Sequence, residues 1–101
     1  MEVSVASANG RAVLRLSGRF DFNSHREFRE AIENALGQAD TTELQVDLGG
    51  VDYLDSSALG MLLMLRDRAK GAGKAVSLSN CRGAVKQVLD IANFSKLFQI
   101  L

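Results

Sequence analysis

Two segments alternate between apolar residues and a largely polar set, and this pattern constrains the fold more than any other feature. Ala12, Leu14 and Leu16 interleave with Val13, Arg15 and Ser17, and Leu44, Val46 and Leu48 interleave with Gln45 and Asp47. Period-two patterning puts the two sets on opposite faces of a strand. A parallel sheet covered by helices on both sides needs near-continuous apolar strands. These strands are half polar, so helices are expected mainly on one face of the sheet.

The remaining segments fill in the order. Val3 and Val5 mark a short first strand, and Asn9-Gly10 is a strong two-residue hairpin signal into the second, which ends at Gly18. Arg19-Phe20-Asp21-Phe22-Asn23 reads as a connection, and Ser24 with Glu27 has capping-box spacing. Phe28, Ala31, Ile32, Ala35 and Leu36 then form an amphipathic helical stripe ended by Gly37. Gly49-Gly50 breaks the third strand and opens a loop towards a second helix, which stops near Gly71 and Gly73. Val76 and Leu78 mark a fourth strand. Val85, Val88, Leu89 and Ala92 mark a third helix, capped from Ser79 or Asn80, and the apolar run from Leu97 to Leu101 reads as a terminal strand. The order β-β-α-β-α-β-α-β predicts one α/β domain over residues 1–101. Its sheet is mixed, four- to five-stranded, with right-handed crossovers between parallel neighbours.

Composition narrows the function. Lys+Arg and Asp+Glu balance at 12 each, so no net field favours nucleic acid or anionic lipid. One cysteine, Cys81, and one histidine, His25, supply neither a disulfide framework nor a metal cluster. No metal or cofactor is expected. Met1-Glu2-Val3-Ser4 does not resemble a signal peptide, and no apolar run approaches membrane-span length. A cytoplasmic monomer without membrane insertion is the expectation.

The chemistry-bearing stretch is Val51-Asp52-Tyr53-Leu54-Asp55-Ser56-Ser57-Ala58-Leu59-Gly60. Asp55, Ser56 and Ser57 are all competent N-cap residues, and of the two serines Ser57 is the expected cap. In the helix that follows, Ala58, Leu62, Leu65 and Ala69 share one face; Ser56, Gly60, Leu63, Met64 and Asp67 fall roughly opposite. Gly60 in a helix interior costs ~1 kcal/mol relative to Ala, and close approach of another surface would explain it. This second face reads as a docking site, or else as a wide core stripe with serines that only cap. Ser56, His25 and Asp21 could suggest a hydrolase, but no G-x-S-x-G elbow is present.

Three motifs carry a family resemblance that runs essentially end to end. They are Gly18-Arg19-Phe20-Asp21, the Val51–Gly60 stretch, and Ala84-Val85-Lys86-Gln87-Val88-Leu89. The chain resembles the STAS domain family, in particular bacterial anti-sigma factor antagonists, and the middle motif is the specific one. It carries Ala58 where many relatives have glycine. The resemblance implies a mixed sheet with helices on one side. It also implies that Ser56 is the phosphoacceptor, with Ser57 second, that Asp21 lies near it, and that Asp55 immediately precedes it. A protein of this kind binds an anti-sigma factor with serine kinase activity, is released on phosphorylation, and is reset by a metal-dependent serine phosphatase. The partner-binding set is then Asp21, Asp55, Ser56, Ser57, Gly60, Leu63 and Met64, and the chain itself is no enzyme. The alternative implied by the same family is a constitutive subunit that docks, without phosphorylation, to a transporter of the lipid-transport type or to another complex. A small-ligand or nucleotide sensor is a third reading.

Overall fold

The computed structural model describes residues 1–101. Asn9 and Gly10, with φ of +54° and +80°, form the hairpin turn between β1 (Glu2–Ala8) and β2 (Arg11–Phe20). Two consecutive positive φ values match the twist of the flanking strands, which is why an Asn-Gly pair suits this position. After β2 come α1 (His25–Leu36), β3 (Glu43–Leu54), α2 (Ser56–Gly71), β4 (Ala75–Ser79), α3 (Gly83–Ile91) and β5 (Gln99–Ile100). The sheet has five strands in the order β1-β2-β3-β4-β5. The hairpin is antiparallel and every other pairing is parallel.

The alternating pattern sorts the two faces as expected. Leu14, Leu16, Leu44, Val46 and Leu48 are buried, while Arg15 and Ser17 are exposed and Gln45 and Asp47 half-buried. Residues from all three helices join the buried strand residues in one cluster of 22. Phe28, Ala31, Ile32 and Ala35 supply it from α1, Ala58, Met61, Leu62 and Leu65 from α2, and Val85 and Leu89 from α3. Phe20 and Phe28 lock β2 to α1, with ring centroids 4.9 Å apart.

The Gly49-Gly50 pair does not break β3. The strand runs through it to Leu54, and the register with β2 slips from Arg15↔Asp47 to Ser17↔Gly50. This is a β-bulge, with an extra residue on β3. A Cβ on Gly50 would stand 2.8 Å from Ser17 Cβ and 2.9 Å from the Leu16 carbonyl oxygen, so close strand approach requires the glycine. β2 likewise continues past Gly18 to Phe20 after a second register shift. The two strands therefore end side by side at Phe20 and Leu54.

Three caps and the last strand also differ from expectation. Ser24 makes no side-chain cap to α1, and the capping box instead joins Asp21 and Ser24 around a 3-10 turn at Phe22–Ser24. Ser24 is turned inward at 2% exposure, so its hydroxyl serves the buried turn rather than the helix. Neither Ser79 nor Asn80 caps α3. Ser79 ends β4, Asn80 sits at φ +57° with its amide on Asp47, and Arg82 holds the N-cap position without a side-chain capping bond. Asp55, not Ser57, caps α2. Only Gln99 and Ile100 of the final apolar run pair as strand; Phe98 is buried and stacks on Phe94, centroids 5.4 Å apart.

Candidate functional site

The Asp-Ser-Ser segment lies where two parallel strands deliver their ends together. Phe20 pairs with Leu54 at the tops of β2 and β3, and the Asp55 N–H donates to the Phe20 carbonyl oxygen at 3.3 Å. Asp21 and Asp55 therefore leave the sheet as neighbours. The site sits beyond the carboxyl ends of parallel strands, where open α/β sheets commonly place ligands and chemistry.

Each aspartate organises its own turn. Asp21 Oδ1 accepts the Asn23 N–H at 3.0 Å, its N–H donates to Ser24 Oγ at 3.2 Å, and Ser24 Oγ donates to the Arg19 carbonyl oxygen at 3.0 Å. Asp55, with an extended φ of −110°, accepts the Ala58 N–H on Oδ1 at 3.0 Å. The Asp55 carboxylate thus fills the capping role that either serine could have taken. Ser56 and Ser57 become the first two residues of α2, and both are exposed. The Ser56 hydroxyl stands in solvent at the positive end of a 16-residue helix.

The predicted docking face divides into two kinds of surface. Gly60 is exposed, and a Cβ there would meet nothing within 4 Å. No packing inside the molecule requires that glycine. Leu63 and Met64 are half-buried and lean on the margin of the core, so they bridge core and surface. Met61, unassigned on sequence grounds, is buried at 4% exposure and widens the core stripe. The site gathers Asp21, Asp55, Ser56 and Ser57 around the strand ends, and Gly60, Leu63 and Met64 continue along α2.

Two exposed aromatics near these strand ends escaped the sequence reading. Phe22 is 68% exposed in the turn after Asp21, and Tyr53 is 41% exposed two residues before Asp55. Arg19 stacks its guanidinium 4.0 Å from the centre of the Tyr53 ring and places Nε 3.5 Å from Asp21 Oδ2. Tyr, Phe and Arg are all enriched at protein interfaces, and Tyr and Arg are frequent anchors there. The available signal was an aromatic in each segment adjoining the aspartates and outside any core periodicity. Cys81 lies elsewhere, between β4 and α3. It is half-buried against the core margin, and burial pushes its thiol up, with Asp90 adding to this. No group of three or more His, Cys, Asp and Glu side chains is placed to hold a metal ion. No helix is long and apolar enough to cross a membrane.

Comparison with known proteins agrees with this architecture. The family model described as "Mlab, STAS domain" matches residues 3–101. A STAS-domain containing protein of Pseudomonas aeruginosa (strain UCBPP-PA14) is 45% identical over 98 residues, covering 96% of this chain and 95% of that one. An anti-sigma F factor antagonist of Paenibacillus polymyxa is 21% identical over 100 residues, covering 99% of this chain and 86% of that one. The crystal structure of an anti-sigma factor antagonist from Mycobacterium paratuberculosis superposes with a TM-score of 0.86 at 19% identity, covering 98% of this chain and 83% of that one. With a family match over nearly its whole length and a five-stranded mixed sheet backed by three helices, the chain belongs to the STAS domain family.

Proposed function

We propose that the chain is an anti-sigma factor antagonist operating by a phosphorylation-dependent partner switch. The unmodified form binds an anti-sigma factor with serine kinase activity through the N-terminal half of α2 and the adjoining strand ends. That partner phosphorylates Ser56 and lets go, and a metal-dependent serine phosphatase restores the binding form. The chain supplies the acceptor and the surface, and its partners supply the chemistry.

The observation that carries this reading is the division of labour at the α2 N-terminus. Asp55 caps the helix at 3.0 Å, so Ser56 is exposed without a capping task. Modifying Ser56 therefore removes no internal support. Phosphorylation adds about −1.5 to −2 charge at neutral pH. The helix dipole favours a negative charge there by ~0.3–1 kcal/mol, so the fold tolerates the modification. A docked partner does not, because it must strip water from a dianion directly beside the Asp55 carboxylate. A loss of ~1.4 kcal/mol in the complex is already tenfold in affinity.

The reading is tested with Ser56→Ala and Ser56→Glu, titrated against a kinase-type anti-sigma factor and followed through thermal unfolding. Both variants should unfold no more easily than the parent. Ser56→Ala should bind as the parent does, and Ser56→Glu should bind about tenfold or more weakly. Equal affinity of the two variants contradicts the switch.

A further inference from the structure

The face of the sheet turned away from the core holds a second feature that does not depend on the reading of Ser56. Two rows of residues cross β1, β2 and β3 there. Ser4 stands opposite Arg15, and Arg15 opposite Asp47; Glu2 stands opposite Ser17, and Ser17 opposite Gly50. The second row has no side chain on β3. Gly50 leaves no room for one, since a Cβ there would lie 2.8 Å from Ser17 Cβ, and a Cβ on Gly49 would crowd Asp47 Oδ1 at 3.1 Å. The result is a concavity of about 800 Å³ floored by backbone, with Asn80, Cys81 and Arg82 as one wall. Small-molecule sites commonly span about 300–1,000 Å³.

The polar groups around this floor are already ordered. Asp47 Oδ1 accepts the Gly49 N–H at 2.9 Å and Asn80 Nδ2 at 3.0 Å, and Oδ2 lies 3.7 Å from Arg15 Nε. An Arg82 NH2 donates to the Gly49 carbonyl oxygen at 2.7 Å. Burial pushes the Asp47 carboxyl up, but hydrogen bonds from Asn80 and Gly49 and the charges of Arg15 and Arg82 outweigh it and hold it below the usual range. Asp47 is thus committed to holding the rim together. The donors are not exhausted. A guanidinium carries five N–H groups, and each arginine has one contact among these. Arg15 remains 66% exposed, and the Ser4 and Ser17 hydroxyls are exposed beside it. Glu2, at the end of β1, is the one lining carboxylate without such a commitment.

We infer that this pocket binds the phosphate group of a small phosphorylated metabolite between Arg15 and Arg82, with the rest of the molecule over the Gly49-Gly50 floor. Planar guanidinium forks match a tetrahedral oxyanion bidentately, and backbone without side chains admits a ligand closely. A volume of this size exceeds what a lone phosphate needs and leaves room for a sugar-sized group.

The test is an amide NMR titration of the full chain, at constant ionic strength, with inorganic phosphate and with ribose 5-phosphate. Saturable shifts are expected at residues 15–17, 47–50 and 80–82, with the sugar phosphate binding more tightly than inorganic phosphate. Arg82→Gln and, separately, Arg15→Gln should each weaken binding about tenfold or more. Arg26→Gln makes the same charge change on exposed α1 and should leave binding unchanged. Shifts that do not saturate, or that Arg26→Gln weakens as much as the pocket variants do, overturn the site. Equal affinity for the two probes overturns the assignment of a ligand larger than phosphate. Thermal unfolding of each variant shows that the fold is retained, so loss of binding reports on the pocket.

Discussion

Asp55 caps α2, and the proposed switch assigns signalling to the adjacent, exposed Ser56. Asp55→Ala leaves the Ala58 N–H without its acceptor and should lower stability by about 1 kcal/mol in a denaturant titration. Ser57→Ala removes no contact of this kind and should stay within ~0.5 kcal/mol of the parent. Gly60 gives the opposite signature. Its Cβ position is empty, so Gly60→Ala should raise stability by up to ~1 kcal/mol while weakening partner binding. A variant that is both more stable and still fully binding would show that nothing docks against that glycine. Asp47 sets a pH dependence. Its carboxyl is held below the ordinary value of 3.8, so its contribution is complete above that value. That contribution is lost as pH falls from there through the depressed folded-state pKa. The stability difference between the parent and Asp47→Ala should therefore shrink on acidification below about pH 4, as read from denaturant midpoints.

At the scale of elements, β3 shows what a sequence reveals and what it hides. The alternation of Leu44, Val46 and Leu48 with Gln45 and Asp47 is enough to orient the strand, because register on a half-buried sheet is set by which face must be covered. The helical stripe of α1 and the Asn9-Gly10 turn are legible for similar local reasons. Gly49-Gly50 is not legible in this way. A glycine pair reads the same whether it ends a strand or lets two strands approach, and only Ser17 on the neighbouring strand decides between them. The cap of α2 was expected at Ser57 and falls to Asp55, since Asp55, Ser56 and Ser57 can all cap and their order along the chain does not choose. Phe22 and Tyr53 were missed because exposure is a property of the assembled strand ends. The bulge makes its own prediction. Gly50→Ala forces contacts under 3 Å against Ser17 and the Leu16 backbone and should destabilise by about 1–3 kcal/mol. Gly73→Ala meets no neighbour, and any loss there comes from its φ of +73° alone.

For the molecule as a whole, the sheet separates two surfaces. The helix side buries the core and carries Ser56 at its upper rim, while the open side carries the Arg15–Asp47–Arg82 pocket. In the proposed switch a dianion at the α2 N-terminus acts on what docks there, not on the core beneath it. Phosphorylated and unmodified protein should accordingly unfold within about 1 kcal/mol of each other while differing tenfold or more in partner affinity. The most direct measurement is site-resolved mass spectrometry on the protein isolated from its own cells, with co-purifying partners identified in the same run. Phosphate on Ser56 in a fraction of molecules, with a kinase-type partner retained only by the unmodified fraction, is the predicted result. Absence of phosphate under every growth condition, with a transporter or other complex held throughout, would contradict the switch and identify a constitutive subunit.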